Sequence, residues 1–261
     1  MPGLRVGDVL FDAGLVVFDK DGTLLDFEFM WGTLLRSLVA ALTADVSDSE
    51  ASAANAPAPG ALARALYNDV GYDPRAGRTL PQSPWSMATT DQVLTILAAT
   101  LYRHGRPWPA AEAVVRAEWA RLSAAAAMAR LVRPTGDLVA LFTGLQAAGI
   151  RTAVDTTDDR RATEQALRLL GIAALVDSIA CGDDALPPKP APDRLLATYR
   201  KLGVPAAHTV MVGDTAFDLV MGRQAGVGLT VGVLTGAGDR ATLAPHADVI
   251  LDSLNEIKIV K

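Results

Sequence analysis

Four short stretches set chemically competent side chains beside glycine, proline or a strand end. The first is FDKDGT, residues 18–23, in which Asp19 and Asp21 stand two apart. On an extended backbone they would point to one side and Lys20 to the other. Two carboxylates that close repel unless a cation sits between them, and a hard divalent ion with oxygen ligands, Mg²⁺ above all, meets that need. The second is DTTDD, residues 155–159. Thr156 and Thr157 there offer a hydroxyl and backbone N–H groups ahead of a helix start, either as an anion cradle or as a plain helix cap. The third is PPKPAPD, residues 187–193, whose prolines hold Lys189 in a defined loop. A fixed ammonium there could offset phosphate and carboxylate charge. The fourth is GDTAFD, residues 213–218. Asp214 follows a strand and can share a metal with Asp19, while Asp218, one turn on, can ligate through water or orient Lys189. The plainer alternative is that both acids serve the positive end of a helix dipole.

The elements that must carry these groups are readable from apolar spacing. Residues 15–18, LVVF, show no alternation, as in a strand buried on both faces of a parallel sheet. Such a strand ending in acids places charge at the carboxyl edge, where open α/β sheets bind ligands. After residue 134 the pattern predicts helix 136–148, strand 151–156, helix 160–170, a strand near 177–180 and helix 191–202. Strand 209–213, helix 215–225, strand 228–233 and a short strand 247–250 follow, then a tail helix. Strands alternating with helices imply an α/β fold, a doubly wound parallel sheet with a Rossmann-like core. Residues 9–11 could add a short strand. Between the first strand and the rest, the spacing predicts helices over 33–42, 61–70, 90–102 and 110–131, with loops at 47–60 and 71–85. Asp91 is a candidate cap or first-turn acid. The expected organisation is a catalytic core of residues 1–26 and 132–261, with a helical cap of residues 27–131 inserted after the first strand.

Taken in order, FDKDGTL, the strand ending in Thr156, KPAPD and GDTAFD resemble the four signatures of the haloacid dehalogenase-like superfamily of phosphohydrolases. The resemblance is to its phosphoglycolate phosphatase-like members with an inserted helical cap. It implies that Asp19 attacks phosphorus to form an aspartyl-phosphate and that Asp21 serves as acid and then base. It implies further that Thr156, with Thr157 beside it, and Lys189 hold the phosphoryl group. Mg²⁺ would sit on Asp19, the backbone carbonyl of Asp21 and Asp214, with Asp218 behind. The residue after the signature threonine is often Asn in the superfamily; here it is Thr157. The implied substrate is a small phosphate monoester, phosphoglycolate or a sugar phosphate. A phosphomutase of the β-phosphoglucomutase type carries the same signatures, so it stays open. A two-component receiver, a phosphoacceptor module without turnover, also joins acids, a Thr and a Lys on a parallel sheet, but is far shorter and has no inserted cap. Phe27, Trp31 and Trp85 are candidate substrate contacts, with sealing of cap to core as the plainer role.

Composition narrows the rest. A net charge of −5 argues against broad nucleic-acid binding, which needs a basic surface. The single cysteine, Cys181, excludes an intrachain disulfide, fits a reducing compartment and reads as a small apolar filler. His104, His208 and His246 lack metal-type spacing. The residues at the start do not read as a signal peptide and no run is long enough to span a bilayer. The expectation is a soluble cytoplasmic enzyme, monomer or homodimer, acting on a small phosphorylated metabolite.

Overall fold

The computed structural model describes residues 3–44, 60–125 and 128–260. The loop expected at 47–60 lies, except for Gly60, outside the described residues. By its internal contacts the chain divides into two compact units, Met1–Phe27 with Met128–Lys261, and Glu28–Ala127.

The first unit opens on a hairpin of β1 (Gly3–Val6) and β2 (Val9–Asp12), then enters β3 (Leu15–Phe18), buried along its whole length. The second unit begins with a π-helical turn, Glu28–Gly32, that runs into the helix Thr33–Ala44. The helices Ala61–Val70, Thr90–Arg103 and Trp108–Ala125 follow, and Leu38 of the first helix with Leu66, Leu97 and Leu101 of the next two are buried. Asp91 lies in the first turn of its helix, whereas Thr89 is the cap: its hydroxyl accepts from Gln92 N, and Gln92 returns a bond from Thr89 N. The stretch 71–85, expected as one loop, is more ordered. There β4 (Tyr72–Asp73) pairs with β5 (Arg78–Thr79), and Asp73 Oδ1 accepts from the backbone N–H groups of Arg75 and Ala76 at 2.8 and 3.2 Å. An Asp side chain standing in for a backbone acceptor closes such a turn.

The chain then returns to the first unit through the helical turn Met128–Leu131. Helix Leu138–Ala147, β6 (Arg151–Asp155), helix Arg160–Leu169 and β7 (Ser178–Ala180) alternate. Helix Asp193–Leu202, β8 (Thr209–Gly213), helix Ala216–Gln224, β9 (Leu229–Val233) and β10 (Val249–Leu251) complete the series. The six long-range strands form one parallel sheet in the order β10-β9-β8-β3-β6-β7. This is the doubly wound α/β core expected from the sequence. Leu15 and Val17 pack on one face with Leu195, Met211 and Met221, and Phe18 meets Phe142 across the other at 4.9 Å. Burying such side chains contributes roughly 1.5–3 kcal/mol each.

The tail departs from expectation. Instead of a helix, β11 (Ile257–Val260) pairs antiparallel with β1, giving a separate three-stranded sheet β11-β1-β2. Its partner is at the far end of the sequence, so local spacing could not reveal the pairing. Among the described residues no helix is long and apolar enough to cross a membrane.

Candidate active site

The sheet register brings three segments level. Phe18 on β3 is opposite Val154 on β6 and Val212 on β8. The next residues along each strand, Asp19, Asp155–Thr156 and Gly213–Asp214, therefore emerge together at the carboxyl edge, where the strand order reverses direction around β3. Asp19 N still donates to Val212 O at 2.8 Å. The backbone then bends at Lys20, so the extended geometry assumed for residues 19–21 stops one residue too soon. Lys20 O accepts from both Leu24 N and Leu25 N at 2.9 Å, which folds the loop back on itself. Gly22 makes this possible: its φ is +85°, and a Cβ there would lie 2.3 Å from Asp214 Oδ2.

Lys189 is the hub. Its Nζ donates to Asp19 Oδ1 at 2.7 Å, to Asp218 Oδ1 at 2.6 Å and to the backbone O of Asp155 at 2.7 Å. Carboxylate oxygens of Asp19, Asp214 and Asp218 all lie within 4.8 Å of one another, and all three residues are buried. Asp214 Oδ2 accepts from Ala237 N at 2.8 Å, and Thr23 Oγ1 is 3.4 Å from its other oxygen. Asp218 Oδ2 accepts from the N–H and hydroxyl of Thr215 at 3.1 and 2.7 Å.

Burial pushes the Asp19 carboxyl up to about 7, against the pull of Lys189. Burial likewise holds Asp214 well above the usual carboxylate range, with repulsion from Asp19 and Asp218 adding to it. For Lys189 burial is the largest influence and acts downward, but Asp19, Asp218 and Asp155 together outweigh it and hold the ammonium above its ordinary value. Three buried carboxylates facing one ammonium leave an excess of negative charge in an all-oxygen donor set. That set fits a hard divalent cation.

The remaining expected residues fall around this hub. Thr156 is buried: its N donates to Ala180 O at 3.0 Å, its O accepts from Arg194 Nη1 at 2.8 Å, and its hydroxyl accepts from Asp158 N at 3.2 Å. Thr157 is exposed. The Asp21 carboxylate is drawn to Lys20 Nζ at 2.6 Å, so its side chain does not share Lys189 with Asp19 and Asp218. Phe27 is buried at the end of its segment. Trp31 and Trp85 belong to an aromatic cluster of the helical unit: Trp31 stacks on Trp119 at 6.3 Å and meets Trp85 edge-on at 6.4 Å. Cys181, directly after β7, is buried as expected.

Four features escaped the reading of the sequence. Lys20, expected only to point away from the two acids, is wholly buried and lies against Asp21. Arg194 is buried beside Asp155, its Nη2 lying 3.5 Å from Asp155 Oδ1. That contact supplies the partner for an acid with no evident role in the sequence. Asp158 pairs with Lys20 at 3.0 Å. The loop after β9 closes on the site, with Thr235 Oγ1 donating to Gly22 O at 2.6 Å and Ala237 N donating to Asp214. A Cβ on Gly236 would strike Asp214 Oδ2 at 1.9 Å. The glycines in TGAG, residues 235–238, just past a buried strand, were the available signal for this fourth wall.

Comparison with known proteins identifies the family. A family model of haloacid dehalogenase-like hydrolases matches residues 14–226. The chain belongs to that family. It is 36% identical over 129 residues to a phosphoglycolate phosphatase of Neisseria meningitidis, covering 48% of this chain and 54% of that protein. It is 32% identical over 114 residues to the pyrophosphatase PpaX of Bacillus velezensis, covering 43% and 52%. The matched stretches thus span about half the length of these curated relatives. A HAD family hydrolase of Deinococcus radiodurans, solved with bound phosphate and sodium, superposes with a TM-score of 0.64 at 21% identity, covering 94% of this chain and 93% of that one. A HAD-superfamily hydrolase of Geobacter sulfurreducens gives 0.60 at 15%, covering 93% of each. Identities this low speak for the fold alone.

Proposed function

We propose that the chain is a Mg²⁺-dependent phosphatase that hydrolyses a small phosphate monoester through an aspartyl-phosphate. The observation that carries this is the convergence of Asp19, Asp214 and Asp218 on one buried point, with Lys189 2.7 Å from Asp19 and 2.6 Å from Asp218. Asp19 is the nucleophile: its carboxylate oxygen bonds to phosphorus as the bond to the leaving oxygen breaks, which splits a difficult hydrolysis into two easier steps. Asp21 gives a proton to that leaving oxygen. It then takes one from the water that cleaves the aspartyl-phosphate, releasing phosphate and restoring Asp19. Lys189 fixes the rotamer of Asp19 and, with Thr156 and the N–H groups before the helix Arg160–Leu169, balances the charge of the phosphoryl oxygens. Asp19, the backbone carbonyl of Asp21 and Asp214 would hold Mg²⁺, with Asp218 orienting Lys189. Bound there, the ion supplies Lewis-acid stabilisation of phosphoryl charge.

The helical unit, residues 28–127, is assigned the role of a cap that selects the substrate, with Phe27, Trp31 and Trp85 as the positions to vary. The relative in Neisseria meningitidis supports a phosphoglycolate-like substrate, and a sugar phosphate is the other small monoester that the resemblance implies. The PpaX relative supports a second reading, inorganic pyrophosphate, whose phosphate leaving group needs less help from an acid. One experiment addresses all of these: phosphate release from phosphoglycolate, sugar phosphates, pyrophosphate and p-nitrophenyl phosphate, with Mg²⁺ and with EDTA. Release that needs Mg²⁺ and is lost in Asp19→Asn is the expected result. Parent-level release by Asp19→Asn would refute the proposal. Isomerised sugar phosphate in place of free phosphate would turn it to a mutase.

A further inference from the structure

Lys20 sits between the two acids of the first signature, yet it faces neither solvent nor Lys189. It is wholly buried, and its Nζ lies 2.6 Å from Asp21 Oδ2 and 3.0 Å from Asp158 Oδ2. A buried ammonium persists only when it is paired. The two partners here come from different loops. Asp21 belongs to Lys20's own loop, whose fold-back is pinned by Leu24 N and Leu25 N on Lys20 O. Asp158 belongs to the loop after β6, where its backbone N–H donates to the Thr156 hydroxyl at 3.2 Å. A continuous chain of contacts therefore runs from Thr156 through Asp158 and Lys20 to Asp21.

We propose that Lys20 is a positioning residue, whose buried ammonium ties the Asp21 carboxyl to the Thr156 loop and so aims its proton transfer at the leaving oxygen of a phosphoester held there. The inference rests on the reading of Asp21 as the acid. The ammonium acts as a buried point charge shared by the two carboxyls, which keeps Asp21 close to Asp158 and so to the phosphoryl cradle. This constraint is not supplied by Lys189, which is engaged with Asp19, Asp218 and the Asp155 carbonyl.

Leaving-group dependence separates this role from simple structural support. An alkoxide leaves only with a proton, whereas p-nitrophenolate leaves without one, so loss of acid positioning falls on alkyl phosphates. The ratio of kcat/KM for p-nitrophenyl phosphate to that for a simple alkyl monophosphate, both with Mg²⁺, is independent of the fraction of enzyme that folds. In Lys20→Met the alkyl substrate should lose roughly a hundredfold and p-nitrophenyl phosphate less than about tenfold. Asp158→Asn keeps the Lys20–Asp21 pair but weakens the tie to Thr156, and should move the ratio in the same direction by less; an unmoved ratio there overturns the tie. Asp21→Asn is run alongside. A selective loss in Asp21→Asn beside an equal loss on both substrates in Lys20→Met overturns the role of Lys20 alone. Equal losses in both variants overturn the acid assignment of Asp21 and the inference with it.

Discussion

In the helical unit, most charge lies toward the surface. Arg121 pairs with Glu118 and Arg116 with Asp91 on exposed helix faces, Glu28 is half-buried, and among the described residues the buried polar side chains there are the neutral Thr79, Ser83 and Thr100. In the α/β unit, Asp19, Lys20, Asp155, Lys189, Arg194, Asp214 and Asp218 are all buried. Removing an ion from water costs several kcal/mol even after relaxation, and a well-packed apolar side chain would often serve stability as well or better. Stability alone does not favour seven buried ionisable side chains gathered at one sheet edge. The contrast separates a region built to pack from a region built to hold charge in place.

The contrast can be broken or sharpened by substitution. The largest effect is expected for Asp19→Asn, which should lower turnover by about 10⁴-fold or more while leaving the circular dichroism of the fold unchanged. Retention of more than a tenth of the parent rate would remove the nucleophile from the scheme.

Next in size is Lys189→Met, which strands Asp19 and Asp218 in the interior without their shared cation. We expect a loss of about 3–5 kcal/mol in urea unfolding of the metal-free chain, the usual penalty for breaking a buried pair from one side. An unchanged midpoint would mean that the hub does not support the fold.

A smaller effect is expected from pH. Folded Asp19 keeps its proton up to about 7, while the unfolded chain releases it near the ordinary carboxylate value of 3.8. The folded state therefore binds the extra proton in that window, and the stability of the metal-free chain should fall as pH rises through it. Asp214, raised for the same reasons, acts in the same direction. Because a cation competes with those protons, Mg²⁺ should raise Tm more at about pH 7 than at about pH 5. Equal shifts at both values would show that the carboxylates are not where the ion binds.

The smallest effect belongs to the helical unit. Arg121→Ala removes an exposed pair with Glu118 and should change stability by under about 1 kcal/mol. A loss as large as that of Lys189→Met would erase the distinction between the two units.

Much of the α/β unit was legible because its signals are local. A four-residue apolar run that ends in an acid is written in adjacent residues, and the Gly-Asp and Lys-Pro pairs mark loop geometry directly. For that reason every strand of the parallel sheet could be expected, and the four signatures at the strand ends carried the resemblance by which Asp19, Thr156, Lys189, Asp214 and Asp218 were named as candidates. Lys20 was misplaced because alternation was carried one residue past the end of β3, where the backbone bends. Arg194 was invisible because an arginine in an amphipathic helix is normally solvated, and only the approach of Asp155 brings it inside. The hairpin of β4 and β5 fell below the length at which periodicity can be recognised.

From the order of residues alone came the strand–helix alternation, the inserted helical segment and the candidate set of acids, hydroxyl and ammonium proposed to handle a phosphoryl group. Each of these depends on neighbours within a turn or a strand. Only the folded chain decided which carboxylates face which cation: Lys189 with Asp19 and Asp218, Lys20 with Asp21 and Asp158, Arg194 with Asp155. It alone paired the last strand with the first. Those pairings join residues far apart in the chain, and their strength comes from burial, which no single segment possesses before the sheet assembles.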